Sequence, residues 1–397
     1  MFDYLIIGKG LIGAAAARYL SRLSANTAVI GPDEPADWRR HQGVFASHYD
    51  QGRITRQLGR DPIWSRLAQE AIIQYPTIAA ESGVNFHTPV GGLYVAPPGQ
   101  VAEHLNGLGD RQRPSTVEHA FWTKEELAAR FPYLAFPDGF QVLWEGPPAG
   151  YINPRELIQA QLAIATRQGT QIIRQTAVTV QPEATGMRVT TEVGQVYRAR
   201  RVLLATGAFT NCFELLPARL ALRIKSETII LARLPEAERE RLRQMPTLIY
   251  EIDSPDLSEI YLLPPIQYPD GHYYLKMGCN TTADKTLTSL AEMQAWMAAG
   301  DSDLMQPALQ TALQAILPGL QATAWQTKRC LITYTAHGRP YIGEIEPGRL
   351  YVATGGNGMA AKSSDAIGKL AAELVAHGRW HDPGTAALFS VLTAAAA

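Results

Sequence analysis

"DYLIIGKGLIGAAAARYL", residues 3–20, joins an apolar run to three glycines and an alanine-rich run of helical composition. The glycines have the spacing Gly8-x-Gly10-x-x-Gly13, and the order strand, turn, helix gives each a task. Gly8 permits the tight turn, Gly10 lets the backbone approach a pyrophosphate, and Gly13 lets helix and strand pack closely. The helix start at Leu11 and Ile12 offers free N–H groups and a positive dipole end to phosphates. A second strand-like run, "TAVIG" at 27–31, completes a βαβ unit, whose parallel strands need a right-handed crossover. In that full context the motif reads as a dinucleotide site. An acidic residue is expected about 20 residues further on, to hold a ribose. The second strand instead ends at Gly31. Asp33 and Glu34 follow it, either as ribose ligands or as solvated turn residues.

Outward from this unit, nucleotide-type segments recur as "RRVLLATG" (200–207) and "RLYVATGGNGM" (349–359), with strand-rich segments between them. The pattern predicts an α/β (α+β) chain. A Rossmann-like domain is assembled from residues 1–85, 150–215 and 325–397, and a mainly antiparallel β domain is inserted at 86–149 and 216–324. Strands are expected at 91–97, 226–234 and 272–278. A helix is expected over 64–82 from its apolar spacing. Another covers 123–132, where Thr123 and Glu126 form a capping box. A third covers 153–169, with Asn153 as cap, Pro154 in the first turn and Gly169 at the end. Residues 285–318 read as helical, 363–378 as the last clear helix, and the alanines at 394–397 as a frayed tail.

At 397 residues the chain is long enough for two domains. Its 36 basic and 37 acidic residues leave a net charge of -1, so no basic field points to nucleic acid. No apolar run is long enough for a bilayer, and the opening run "FDYLIIG" has no charged region or cleavage site before it, so no secretory signal is expected. Cys212, Cys279 and Cys330 form an odd set without CxxC. Neither a disulfide framework nor a zinc site is expected, and the cytoplasm is the expected compartment.

"GKGLIG", "ATG" at 205–207 and "ATGGNGM" at 353–359 together resemble the FAD-binding segments of the D-amino-acid oxidase superfamily, end to end and in order. In detail the chain resembles the monomeric sarcosine oxidase and N-methyl amino acid oxidase branch. The resemblance implies FAD held by Gly8, Gly10, Leu11, Ile12, Gly13, Asp33, Gly207, Gly356, Asn357, Gly358 and Met359. "SHYDQGRITR" (47–56) is similar to a loop beside the flavin, which implies Ser47 and Arg53 near the ring and Arg56 on the substrate carboxylate. A guanidinium suits that task because its fork is planar and bidentate. "YLKMG" (274–278) resembles the strand whose lysine activates dioxygen, here Lys276. Tyr261, three residues before Pro264, matches a tyrosine facing the substrate. "GGNGMAAKSS" (355–364) resembles the turn whose lysine is the second carboxylate ligand, here Lys362. "CLITYT" (330–335) looks like the segment whose cysteine carries FAD as an 8α-S-cysteinyl adduct, here Cys330.

Without the resemblance each residue has a plainer alternative. Arg53 and Arg56 could be surface arginines, Lys276 could point outward by strand alternation, Lys362 could be an exposed first-turn lysine, and Cys330 a packed thiol. Lys328 and Arg329 either lower the Cys330 thiol pKa or are turned away from it. Asn280 and Ile332 stand where the branch has His and Tyr, which argues against assuming sarcosine as substrate.

The implied activity is oxidation of an amino acid, a secondary or N-methyl amine, by hydride transfer to flavin N5. Imine hydrolysis and reoxidation by O2 to H2O2 follow, in a monomer. The alternatives are a dehydrogenase using another acceptor, and a flavin-binding subunit of a larger complex.

Overall fold

The strand Phe2–Ile7 buries Leu5, Ile6 and Ile7 on both faces, which suits the centre of a sheet covered on both sides. In this computed structural model, which describes residues 1–106 and 117–394, it pairs in parallel with Thr27–Ile30 on one side and Val196–Leu204 on the other. Gln171–Ile173 extends the sheet beyond Thr27–Ile30. Val196–Leu204 divides its other edge. Its first half takes the antiparallel hairpin Ala177–Glu183 and Gly186–Thr191, and its second half takes Leu350–Thr354 in parallel. Tyr341–Glu346 pairs antiparallel with Leu350–Thr354 and brings the sheet to eight strands among the described residues.

Helix Leu11–Ser21 lies against this sheet with Ala14, Ala15, Ala16 and Ala17 all buried. Those small side chains let the last long helix, Ala360–His377, approach closely. A Cβ at Gly368 would sit 2.5 Å from the Ala15 Cβ. The two glycine-bearing turns that precede these helices are therefore held side by side.

The second sheet runs Thr286–Leu287, Leu222–Arg233, Tyr273–Thr281, Leu257–Gln267, Thr247–Tyr250, Gly92–Ala96, Gln141–Glu145 and His119–Trp122. It is antiparallel apart from the pair Thr247–Tyr250 and Gly92–Ala96. A ninth strand, Ala324–Thr335, pairs with Leu222–Arg233 along its whole length. The sequence pattern places 325–335 in the first domain, but the ladder puts these residues in the second sheet. The chain crosses to the first sheet only after the turn at Gly338. Cys330 thus lies on the strand that joins the two sheets. A small third sheet, Arg53–Thr55, Gly150–Ile152 and His87–Thr88, links the loop after the first unit to the interior.

Three helix boundaries differ from the sequence pattern. Residues 64–82 form two helices, Pro62–Ile72 capped by Asp61 and Tyr75–Ser82, because Pro76 is accommodated only in a first turn. Residues 285–318 hold a short strand, Thr286–Leu287, then Leu290–Ala299 and Gln306–Ile316, separated at Gly300 and restarted at Pro307. The helix expected from 363 begins at Ala360, and a short helix Pro383–Leu388 follows it. The capped helices Lys124–Arg130 and Pro154–Arg167 carry the expected capping box and Asn153 cap. Residues 395–397 of the alanine tail lie outside the described residues. Among the described residues no helix is long and apolar enough to cross a membrane.

Candidate active site

The glycine turn, the loop at 44–61, the strand Ala324–Thr335 and the turn at 354–359 converge on one cavity of about 640 Å³, within the range of cofactor and ligand sites. Gly8 has φ +112°, and a Cβ there would lie 2.2 Å from the Ala205 carbonyl oxygen. A Cβ at Gly13 would lie 1.9 Å from the Gly8 carbonyl oxygen. Both positions exclude any side chain. Gly10 differs, because a Cβ there would meet nothing within 4 Å. Gly10 is also the N-cap of helix Leu11–Ser21, without a side chain to cap it, and lines the cavity with Leu11 and Ile12. The first-turn N–H groups of that helix need an outside acceptor, and the open floor at Gly10 leaves room for one.

The neighbouring turns repeat the device. Gly207, with φ +55°, lines the cavity, as do Gly356, Asn357, Gly358 and Met359. Asn357 has φ +49°, which asparagine tolerates better than most residues. Its side chain fixes the turn by donating to the Gly355 carbonyl (2.7 Å) and accepting from the Thr335 N–H (3.0 Å). Its own N–H donates to the Thr333 carbonyl at 2.8 Å. The turn therefore hangs on the strand that carries Cys330, and the following helix has Met359 at its N-cap, without a side-chain cap.

Asp33 lies outside the cavity lining. It pairs with Lys9 and, at 3.0 Å, with Arg174, while Glu34 receives two 2.7 Å bonds from Arg155. The second strand ends on glycine for a steric reason: a Cβ at Gly31 would lie 2.7 Å from the Lys9 backbone nitrogen.

Ser47, Arg53 and Arg56 all line the cavity. Arg53 donates to the Ser47 carbonyl (2.7 Å) and the Gly52 carbonyl (2.9 Å) and pairs with Asp50. Arg56 donates to the Leu58 carbonyl at 2.6 Å and lies 3.3 Å from His104 Nε2. Burial, and then Arg56, hold the His104 imidazole well below its ordinary pKa, so the ring is neutral and Nε2 accepts. The buried Glu145 carboxylate braces the same loop by accepting from the N–H groups of Gln57 (2.7 Å) and Leu58 (3.1 Å).

Lys362, 6 % exposed, lines the cavity near Arg56, with Nζ 6.0 Å from the Trp64 ring centroid. Burial, then repulsion from Arg56, push its pKa well below the lysine range, and Glu145 opposes them. It is not an exposed first-turn lysine.

Lys276 is 1 % exposed, so alternation turns it inward. It does not line the cavity, however. Its Nζ lies 2.5 Å from Asp50 Oδ2, 2.8 Å from the Gly52 carbonyl oxygen and 5.4 Å from the Tyr261 ring centroid. Burial and Arg53 lower its pKa to about 8, against the pull of Asp50. Tyr261 does line the cavity, and glycine at 278 makes room for it: a Cβ there would sit 2.3 Å from the Tyr261 hydroxyl.

Cys330 lines the cavity, with Sγ 4.0 Å from an Arg53 Nη2. Burial raises its thiol pKa, with Arg53 opposing. The neighbouring cations in sequence are occupied elsewhere. Arg329 donates to the carbonyls of Met297, Ala298 and Gly300, and Lys328 lies over the Tyr268 ring. The thiol therefore faces Arg53, with Glu227 directly across the ladder. Asp50 lies within the loop 47–56, where nothing local marks a carboxylate that pairs with residue 276. Glu145, His104 and Glu227 arrive from distant strands and a distant helix, and carry no motif.

A family model described as "DAO: FAD dependent oxidoreductase" matches residues 3–374. The monomeric sarcosine oxidase of Streptomyces avermitilis is 29% identical over 212 residues, so the match spans about half the length of each chain (52% of both). The monomeric sarcosine oxidase of Bacillus sp. (strain NS-129) is 22% identical over 388 residues, 95% of this chain and 94% of that one. Among solved structures, NikD, "an unusual amino acid oxidase essential for nikkomycin biosynthesis", superposes with a TM-score of 0.79 at 18% identity. That match covers 100% of this chain and 98% of the other, a likeness of fold alone.

Proposed function

The chain belongs to the DAO family of FAD-dependent oxidoreductases, and on that premise we propose that it oxidises the amine of an amino acid, with a secondary or N-methyl amine as substrate class and dioxygen as acceptor. The cavity suits FAD: the open floor at Gly10 and the first-turn N–H groups behind it fit a pyrophosphate, and the start of helix Ala360–His377 fits a polar ring edge that gains negative charge. When bound, FAD would take a hydride equivalent from the carbon beside the amine, leaving an imine for water to hydrolyse, and would pass the electrons to O2 to give H2O2.

One observation carries the substrate assignment. Arg56, half-buried, and Lys362, buried, bring two basic groups to the cavity, each with its pKa lowered by burial, and Glu145 sets one acidic group against them. A buried surplus cation is costly, and a substrate carboxylate would neutralise it. Held there, the substrate presents its amine to the space between Tyr261 and the glycine turns. With the carboxylate bound that surplus is cancelled, and it is removal from water that favours the neutral amine, the form that can give up a hydride equivalent. Cys330, at the cavity wall beside Arg53, is the candidate covalent tether. Acid precipitation tests it: wild type should give a yellow pellet and Cys330→Ser a yellow supernatant, whereas a yellow supernatant from wild type leaves Cys330 a packed thiol.

Anaerobic mixing with candidate amino acids tests the activity. Flavin absorbance should bleach with an N-methyl or cyclic amino acid, and Arg56→Ala should lower kcat/KM for it by about 10- to 100-fold, the cost of one charged hydrogen-bond pair. No bleaching by any amino acid would refute the reading. A dehydrogenase is the second reading, and it is favoured by the withdrawal of Lys276 from the cavity lining. Peroxide yield under air, set against dye reduction, separates the two.

A further inference from the structure

Lys276 is placed by one residue that the reaction so far does not use. Asp50 is 4 % exposed and lines the cavity, while Lys276 lies behind it. The Asp50 carboxylate gathers four donors. Oδ2 takes Lys276 Nζ at 2.5 Å and pairs with Arg53, and Oδ1 accepts from the Tyr268 hydroxyl at 2.7 Å and the Gln51 N–H at 2.8 Å. Every lone-pair direction of the carboxylate is engaged, so its position is over-determined. Two cations and one anion leave this cluster with a single positive charge at the wall. A lysine with so little contact with water sheds its proton unless an anion is at hand, and Asp50 is the carboxylate within contact of it.

We propose that Asp50 is the positioning residue for reoxidation by dioxygen: its carboxylate anchors the Lys276 ammonium against the Gly52 carbonyl and supplies the counter-charge that keeps that ammonium protonated beside the cavity. This rests on the reading that Lys276 serves the reaction with dioxygen. The physical case is electrostatic. A fixed positive charge in a water-poor wall stabilises the negative charge that develops as an electron reaches O2, and it costs no reorganisation at that moment.

The groups around Lys276 define what can titrate. Arg53 faces it from its own loop, Tyr261 from Leu257–Gln267, and Cys330 from Ala324–Thr335. Tyr268 donates to Asp50, and Lys328 feels its charge. Glu227, on Leu222–Arg233, acts on Tyr261 and Cys330. Burial pushes Asp50 up, but Lys276 and Arg53 more than reverse this and hold it well below the carboxylate range, so it stays ionised throughout the working range. Tyr261 and Tyr268 are held well above theirs, and burial raises Cys330. Burial lowers both lysines of the group, Lys328 and Lys276; Lys276, in contact with Asp50, is brought to about 8.

The test reads the lysine directly. In full-length FAD-loaded protein carrying [6-13C]lysine, the Lys276 signal, identified by its loss in Lys276→Met, should titrate near the wild-type value of about 8. In Asp50→Asn its midpoint should fall by about one pH unit or more, the effect of removing an opposite charge in contact. An unmoved midpoint overturns the proposal. So does a Lys276 that is already neutral at pH 7 in wild type, a result that needs no variant to fold. Stopped-flow reoxidation of reduced enzyme by O2 supplies the second arm. The wild-type rate should fall as pH rises through the lysine midpoint, and in Asp50→Asn that limb should move down with it. If Lys276→Met slows reoxidation but the Asp50→Asn limb stays in place, Asp50 has no part in the step and the proposal fails alone. If Lys276→Met leaves reoxidation unchanged, the oxidase role of Lys276 fails, and Asp50's part falls with it. The lysine midpoint then separates that failure from a failure of the electrostatic contact itself.

Discussion

Gly8, Gly10 and Gly13 look alike in the motif but meet different surroundings. Gly8 and Gly13 face backbone oxygens at 2.2 and 1.9 Å from an added Cβ, whereas Gly10 faces open space. The motif's two functions therefore separate by position. Gly13→Ala should destabilise the protein by about 1–3 kcal/mol or more, because backbone cannot move aside as a side chain can. Gly10→Ala should leave the thermal midpoint of cofactor-free protein within a degree or so, since nothing is displaced, yet weaken FAD binding about tenfold or more by occupying the floor of the cavity. Melting curves and an FAD titration on both variants check this. A Gly10→Ala protein that binds FAD as tightly as wild type would mean the pyrophosphate lies elsewhere. These three residues were legible in the sequence because their surroundings are local. The turn, its strand and its helix occupy eighteen consecutive positions. Asp33 was legible only as an acid near the right distance. It pairs with Lys9 in the glycine turn and with Arg174, which follows the distant strand Gln171–Ile173.

The loop from Ser47 to Arg60 owes its shape to other elements. Glu145, at the end of strand Gln141–Glu145, accepts the N–H groups of Gln57 and Leu58, and Leu58 in turn offers its carbonyl to Arg56. The brace acts on the substrate cations through the backbone. It also acts through space, because Glu145 is the negative charge set against Arg56 and Lys362. Glu145→Gln keeps the volume but removes that charge and one of the two acceptors. It should raise KM for the amino acid by about tenfold, since one charged hydrogen bond to the loop is lost, and change the reoxidation rate constant little, since Lys276 belongs to a different cluster. Steady-state and stopped-flow kinetics on one preparation separate the two effects. Element existence was readable here from periodicity and caps. The partnership between elements was not. Glu145 sits in a run, "QVLWE", that carries no motif, and the domain limit at 325 sets residues 325–335 apart from the strand they pair with, about a hundred residues earlier. Register between distant strands is set by tertiary packing, which leaves no signature in either strand alone.

Across the whole molecule, three histidines tie stability to pH: His104, which is buried, and His48 and His87, which are half-buried. Burial lowers the His48 pKa to about 3, with Arg155, Lys9 and Arg53 adding to it. Burial also lowers His87 to about 4, and holds His104 well below its ordinary value. All three are neutral in the native chain and take up a proton on unfolding at pH values below the ordinary histidine pKa of about 6.5. Their folded pKa values are depressed, so the stability they contribute is fully present above about 6.5 and is lost as pH falls toward the folded values. Between pH 7.5 and 5.5 each should remove about 1.4 kcal/mol, or about 4 kcal/mol together. Glu145 and Glu227 act in the opposite sense. Burial raises both, so the native state binds their protons first and regains part of the loss on acidification. Urea unfolding of the cofactor-free chain should therefore show a lower midpoint at pH 5.5 than at 7.5 with the slope on denaturant unchanged. His48 gives the decisive variant, because its Nδ1 is buried without a partner and its removal breaks no hydrogen bond at that atom. In His48→Asn the fall between the two pH values should shrink by about 1.4 kcal/mol, one histidine's share. An unchanged fall would mean that His48 has the same pKa in the native and the unfolded chain, with burial and the cations Lys9, Arg53 and Arg155 around it fully offset by an anion it senses as strongly.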